Sequence, residues 1–160
     1  VNGGEAWPGY HAGPNTLAAA KNHNWPSNAN NNGLDFWVTE TRRAHVRDGM
    51  SNTYLIGEKY LNVDVYNSWE GGGDAQSMFC GNDPDGTRWV SPASNPSSAP
   101  LRRDRAGLAG YLNYGGPHAS GCQFVFCDGS VRTISFSIDI ETHRRFGNRH
   151  DGLPIESAGQ

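Results

Sequence analysis

The stretch QFVFCDGSVRTISF, residues 123–136, constrains this chain more than any other. Two runs of β-branched and aromatic residues flank Asp128 and Gly129. An Asp-Gly pair between such runs favours a two-residue type I′ turn, in which both turn positions need φ > 0. That register sets Phe126 opposite Val131 and Phe124 opposite Thr133, so one side of the ribbon is apolar and packs inward. The other side, with Gln123, Val125, Arg132 and Ile134, is mixed and only part covered. Next, SIDIETHRRFGNR predicts a short helix capped by Ser137 or Asp139, with Glu141 in its first turn, Arg144 and Arg145 in its last, and Gly147 at its end.

The rest of the chain is punctuated more than it is patterned. With 21 Gly, 9 Pro and 15 Asn in 160 residues, much of it must be turns, where those residues supply positive or fixed φ. The expected class is therefore α+β, mainly antiparallel β, with hairpins, long loops and one or two short helices in a single domain. Residues 1–34 read as a loop-rich arm around one helical turn, NTLAAAKNH, with Asn15 at its N-cap. Residues 35–62 hold two β-prone runs, Phe36 to Thr41 and Thr53 to Glu58, a first strand pair around a turn at Asp48 and Gly49. Residues 63–117 form a loop-rich excursion, in which the Pro- and Ser-rich segment 91–107 is expected to be exposed, with no core of its own. Residues 118–150 carry the hairpin and the short helix, and HDGLPIESAGQ trails off as a turn and edge strand.

Charge and hydropathy remove two classes of partner. A net charge of -3 and a pI near 6.0 lack the basic stripe that neutralises phosphates, so nucleic acid is not expected. No run of 18 apolar residues and no signal-peptide core is present, so this stretch of chain is expected to make no membrane contact.

Several residues carry candidate chemistry. His118 with Asp128 and a cysteine would form a base, orienting carboxylate and nucleophile. A straight strand between them, however, sets His118 and Asp128 roughly 30 Å apart. His118 is then expected to bond a loop carbonyl or cap a turn, and Asp128 to shape its own turn. Cys122 and Cys127 fall on opposite faces of one strand and cannot bridge each other; Cys80 pairs with either one, or all three are buried thiols. In GNDPDGTR, Asn82, Asp83 and Asp85, with Asp74 nearby, offer oxygen ligands around a glycine turn that suit Ca²⁺, although the spacing is not an EF-hand; a plain Asx-rich turn is the competing reading. The six histidines are scattered singly, which argues against zinc. Trp7, Trp25, Trp37, Trp69 and Trp89 either pin loops onto a thin core or form stacking platforms for a ligand.

Nine residues separate His118 from Asp128 and Gly129, within HASGCQFVFCDGSVRTISFSID. Upstream are DGMSNTYLIGEKYLN and MFCGNDPDGTR, and downstream IDIETHRRFGNR. With these motifs in this order, the chain resembles a bacterial family, expanded in planctomycetes, of pilin-like surface proteins of unknown function that end in an H-x9-DG domain. That family has also carried a solute-binding label. The resemblance covers about residues 1–155. Its motif residues here are His118, Asp128 and Gly129, with Asp48, Gly49, Ser51, Asn52 and Glu58 from the earlier motif, and it assigns them no roles. Family members begin with a prepilin-type leader and a long hydrophobic helix, so this chain looks like the C-terminal globular part, and an upstream leader is expected in the intact gene product.

The resemblance implies a pilin- or pseudopilin-like globular head, exported to the bacterial envelope or cell surface, with no enzymatic activity. The expected role is structural, through self-association or contacts with other envelope proteins. The alternative is an extracellular binding module that takes glycan or a small solute in an aromatic cleft.

Overall fold

The hairpin forms, with a different turn from the one its Asp-Gly pair suggests. In the computed structural model, which describes residues 1–5, 13–27, 30–36, 38–68, 70–75, 83–91, 95 and 98–155, strand β4 (Cys122–Phe126) runs antiparallel to β5 (Val131–Ile134). The loop between them has three residues, Cys127 to Gly129. The Gly129 amide closes a turn on the Phe126 carbonyl at 2.9 Å, and the Phe126 amide returns to the Ser130 carbonyl at 2.9 Å. Among the described residues Val38 alone combines a side chain with positive φ, so Asp128 does not take the left-handed conformation that a type I′ turn demands. Gly129, at φ +87, takes it alone, as in a type I turn closed by a glycine bulge. Asp128 accepts hydrogen bonds from the Ser130 amide at 2.9 Å and its hydroxyl at 2.7 Å, a local bond that holds the turn.

This extra loop residue shifts the register by one and exchanges the faces of β5. Phe124 lies opposite Arg132, not Thr133, and Val125 lies opposite Val131. Cys122, Phe124 and Phe126 point into the core, and Arg132 covers the Phe126 ring with its guanidinium carbon 4.0 Å from the centroid. Val131, expected inside, is 64% exposed.

Strand β1 (Tyr54–Gly57) pairs antiparallel with the other side of β4, giving the order β1-β4-β5. The predicted partner of β1, Phe36 to Thr41, forms no strand among its described residues. Val38 turns the backbone at φ +51, and the Thr39 hydroxyl closes the segment on Phe36, accepting from its amide at 2.9 Å and donating to its carbonyl. β1 therefore finds its neighbour across the chain. A second, two-stranded sheet joins β2 (Arg102–Arg103) in parallel to β3 (Gly115–Gly116). The segment 91–107 does contribute to the core, contrary to expectation: Ser91, Ala99 and Leu101 are buried.

Tyr54 is the centre of the core. Its ring stacks on Phe124 at 3.9 Å between centroids and meets Phe126 and Tyr114 edge-on. Phe146 and His143 close over it from helix α2 (Ile140–Gly147). That helix begins where expected. Asp139 is its cap, accepting from the Thr142 amide at 2.8 Å, with Glu141 in the first turn and Arg144 and Arg145 in the last. The N-terminal helix α1 (Leu17–Ala20) is a single exposed turn capped by Thr16, not Asn15.

The first five residues are not a loose arm. Asn2 is buried, and its side-chain amide donates to the carbonyls of Tyr54 at 2.9 Å and Gly147 at 3.0 Å while its oxygen accepts from Gly4 at 2.9 Å. One side chain thus joins β1 to the end of α2. At the other end of the chain, residues 151–155 form no edge strand.

Candidate functional site

The motif residues gather at two ends of β4. At its start, His118 meets Glu58, which follows β1: Nε2 lies 3.1 Å from Oε1. The other Glu58 oxygen accepts from the Gln123 amide at 2.7 Å. The Glu58 backbone is also committed, its amide donating to Gln123 and its carbonyl accepting from Gly115, both at 3.1 Å. His118 thus orients toward a carboxylate of the earlier motif, that of Glu58, rather than the expected loop carbonyl. Its side chain is 54% exposed and that of Glu58 32%, so the pair sits at the surface.

At the far end of β4, the two Asp-Gly motifs touch. The Asp128 amide donates to the Met50 carbonyl at 3.0 Å, and the Cys127 amide to Thr53 at 2.9 Å. The 3₁₀ turn Met50–Asn52 is in turn held by Gly49, whose carbonyl accepts from the Asn52 amide and the Thr53 hydroxyl. Asp48 accepts from the amides of Asp151 at 2.7 Å and Gly152 at 2.9 Å, fixing the segment after α2. Asn52 donates to the Asp48 carbonyl at 3.2 Å, and Ser51 is exposed. Asp128 and His118 stand at opposite ends of the strand, as expected.

Neither described thiol has the character of an activated nucleophile. Cys122 is buried and donates to the Gly115 carbonyl at 3.3 Å; burial pushes its pKa far up. Cys127 is pushed up to about 11, again by burial. Both are free thiols. Cys80, the proposed bridge partner, lies outside the described residues.

The acidic stretch turns inward on the chain's own cations and amides. Asp74 pairs with Lys59. Asp83 accepts from the Asp85 amide at 3.0 Å, and Asp85 from the Ala75 amide at 2.9 Å. Arg88 is buried beside them and donates to the carbonyls of Thr87 at 2.9 Å and Gly73 at 3.1 Å; burial lowers its pKa to about 10, opposed by Tyr114, Asp85, Asp74 and Asp83. Among the described residues no three His, Cys, Asp or Glu side chains gather as a metal group. Asn82, the remaining ligand proposed for Ca²⁺, lies outside them.

Of the tryptophans, Trp89 is buried and Trp25 packs edge-on against His23 at 4.7 Å. Trp7, Trp37 and Trp69 lie outside the described residues. Trp89 is therefore a pin rather than a platform.

Sequence reasoning passed over the buried polar residues. Arg144, read only as a helix-end charge, is buried and binds Glu5 and Glu141 at 2.6 Å each, with Asp151 at 3.4 Å. Its guanidinium holds the Glu141 carboxyl down at about 2. His143 is wholly buried, with Nδ1 3.2 Å from the Tyr54 hydroxyl and Nε2 without a hydrogen-bond partner; burial lowers its pKa to about 3. No amphipathic pattern of α2 signals this, because Thr142, His143 and Arg144 are consecutive and fall on different sides of the helix.

No curated protein and no solved structure matches the chain. A family model described as a protein of unknown function (DUF1559) matches residues 1–141 of the 160. The stretch it matches holds both Asp-Gly motifs, the His118–Glu58 pair and the sheet that connects them. The chain therefore belongs to this family of unknown function, the one its H-x9-DG motif had suggested.

Proposed function

We propose that this chain is the globular head of a pilin- or pseudopilin-like subunit, secreted or displayed on the bacterial cell surface, that acts through protein–protein contacts and performs no catalysis. The observation that carries this reading is the outer face of the main sheet. Ile56, Val125 and Val131 lie directly opposite one another across β1, β4 and β5, and Ile56 is 49% exposed beside the still more exposed Val131. Three β-branched side chains in a row across a solvent face form a patch whose burial against another protein is favourable. The motif residues support the same reading. Both carboxylate oxygens of Asp48 and one each of Glu58 and Asp128 accept from backbone amides, which is work of architecture.

The test uses the full gene product in its own host, with a photo-crosslinking residue at Val131. Surface-exposed product and adducts with a second copy or another envelope protein are expected. Product confined to the cytoplasm, or exported product that forms no adduct, overturns the reading.

A further inference from the structure

A cleft of about 130 Å³ opens between the 3₁₀ turn Val63–Val65, the glycine run Gly71–Gly73 and residues 109–111. It exists because three consecutive residues lack side chains. A Cβ on Gly71 would stand 3.2 Å from Val65, one on Gly72 3.2 Å from the Tyr111 ring, and one on Gly73 3.0 Å from the Tyr111 Cβ. The floor is rigid: the Gly73 carbonyl accepts from both Lys59 and Arg88 at 3.1 Å. Tyr111 rests against this glycine backbone and remains 38% exposed.

Two unspent polar groups line the same cleft. Most carboxylates nearby are occupied: Asp64 by the Gly107 amide, Asp104 by the Tyr66 hydroxyl and the Leu61 amide, Asp74 by Lys59. Glu70 has no protein partner among the described residues, and it is exposed. Asn62 caps its 3₁₀ turn through Oδ1, which accepts from the Asp64 amide at 3.1 Å, and keeps its Nδ2 donor free.

We propose that this cleft binds one ring of a neutral carbohydrate. The polarised C–H face of a sugar ring matches the negative face of Tyr111, a carboxylate accepts from hydroxyls, and an amide donates to them. The cleft leaves room for a single ring lodged part-way. An anionic sugar finds no Lys, Arg or His among the described residues that line the cleft, and it meets Glu70. An ammonium group would suit Tyr111 and Glu70 but would be opposed by the Asn62 donor, which needs a lone pair to receive it. This inference goes beyond the assembly reading and is independent of it. A head that assembles without binding sugar, or binds sugar without assembling, separates the two.

The test is an array of neutral and acidic glycans probed with the purified chain, followed by titration of the best neutral oligosaccharide. Binding to neutral glycans is expected, with affinity falling about tenfold or more in Glu70→Ala, the loss of one hydrogen bond to a charged group. Glu70 is exposed and makes no hydrogen bond or ion pair with a described residue, so this variant should keep the melting temperature and separates ligand loss from unfolding. Tyr111→Ala should abolish binding. Retention of no neutral glycan overturns the proposal, as does binding indifferent to both substitutions. Preferential capture of tetramethylammonium in a Tyr111-dependent manner marks a cation site and overturns it equally.

Discussion

His118 and Glu58 stand 60 residues apart in the chain, yet Nε2 of one lies 3.1 Å from Oε1 of the other, and the second Glu58 oxygen holds the Gln123 amide at 2.7 Å. The two contacts are unequal in energy. An exposed ion pair contributes about 0–1 kcal/mol, whereas a carboxylate accepting from a strand amide contributes about 1.5–3 kcal/mol. Glu58→Ala should therefore lower unfolding stability by roughly 2 kcal/mol and His118→Ala by less than about 1 kcal/mol. Urea denaturation of the two variants checks the order. A larger loss for His118→Ala would assign the histidine a role beyond orientation.

Gly129 occupies the left-handed region at φ +87, and a Cβ there would meet nothing within 4 Å. The cost of substitution is therefore one of backbone conformation alone. Gly129→Val should destabilise by at least about 1–2 kcal/mol, while Gly129→Asn, which tolerates this conformation, should cost clearly less. Equal melting temperatures for the two variants would refute the glycine-bulge turn.

Burial holds His143 neutral down to about pH 3, against an ordinary value of 6.5. As pH falls below 6.5 the unfolded chain takes up a proton that the folded chain refuses. This contribution to stability is thus complete above about pH 6.5 and is lost progressively between 6.5 and 3, at up to ~1.4 kcal/mol per pH unit. The Glu141 carboxyl, held at about 2 by Arg144 and Arg145, adds its loss only below its ordinary 4.5. The His150 imidazole is also lowered, by burial first and then by Arg149, and His150→Gln serves as the control. His143→Phe should flatten the stability profile between pH 6.5 and 4.5, at a cost near neutrality of about 1 kcal/mol for the lost Tyr54 hydrogen bond. An unchanged slope would sink the assignment.

The acidic loop yields a contrast with the calcium reading. Asp74 is neutralised by Lys59, and Asp83 and Asp85 are committed to amides beside the buried Arg88. Adding EDTA to purified protein should leave the melting temperature unaltered. A Ca²⁺ site filled to 100 times its Kd would stabilise by about 2.7 kcal/mol, so a plain downward shift on chelation would restore the calcium reading.

Local chemistry was legible wherever a residue and its partner are close in the chain. The helix 140–147 with its Asp139 cap and the hairpin around Asp128 and Gly129 follow from spacing and propensity. The turn type was not legible. Asp-Gly serves a type I′ turn or a type I turn with a glycine bulge, and the choice depends on whether Phe124 and Phe126 reach the core together with Arg132 or with Thr133. Packing around Tyr54 decided it, since an inward Arg132 covers the Phe126 ring while Thr133 faces out.

The buried polar residues were out of reach for a related reason. Nothing in VNGGE distinguishes a loose start from one whose Asn2 amide joins Tyr54 to Gly147, because those carbonyls are 52 and 145 residues away. The same holds for Arg144 with Glu5, and for His143 beneath Tyr54.

By itself, then, the sequence determined the class, the family, the hairpin and its following helix, since these rest on alternation, turn residues and caps that act within a few positions. Only the tertiary structure decided which strand neighbours β1, which face of β5 is wet, and where Glu58 and Asp48 spend their charges. Those outcomes depend on desolvation and hydrogen-bond geometry between segments far apart in the chain, and a carboxylate's partner is chosen by whichever amide is left unsatisfied when the core closes.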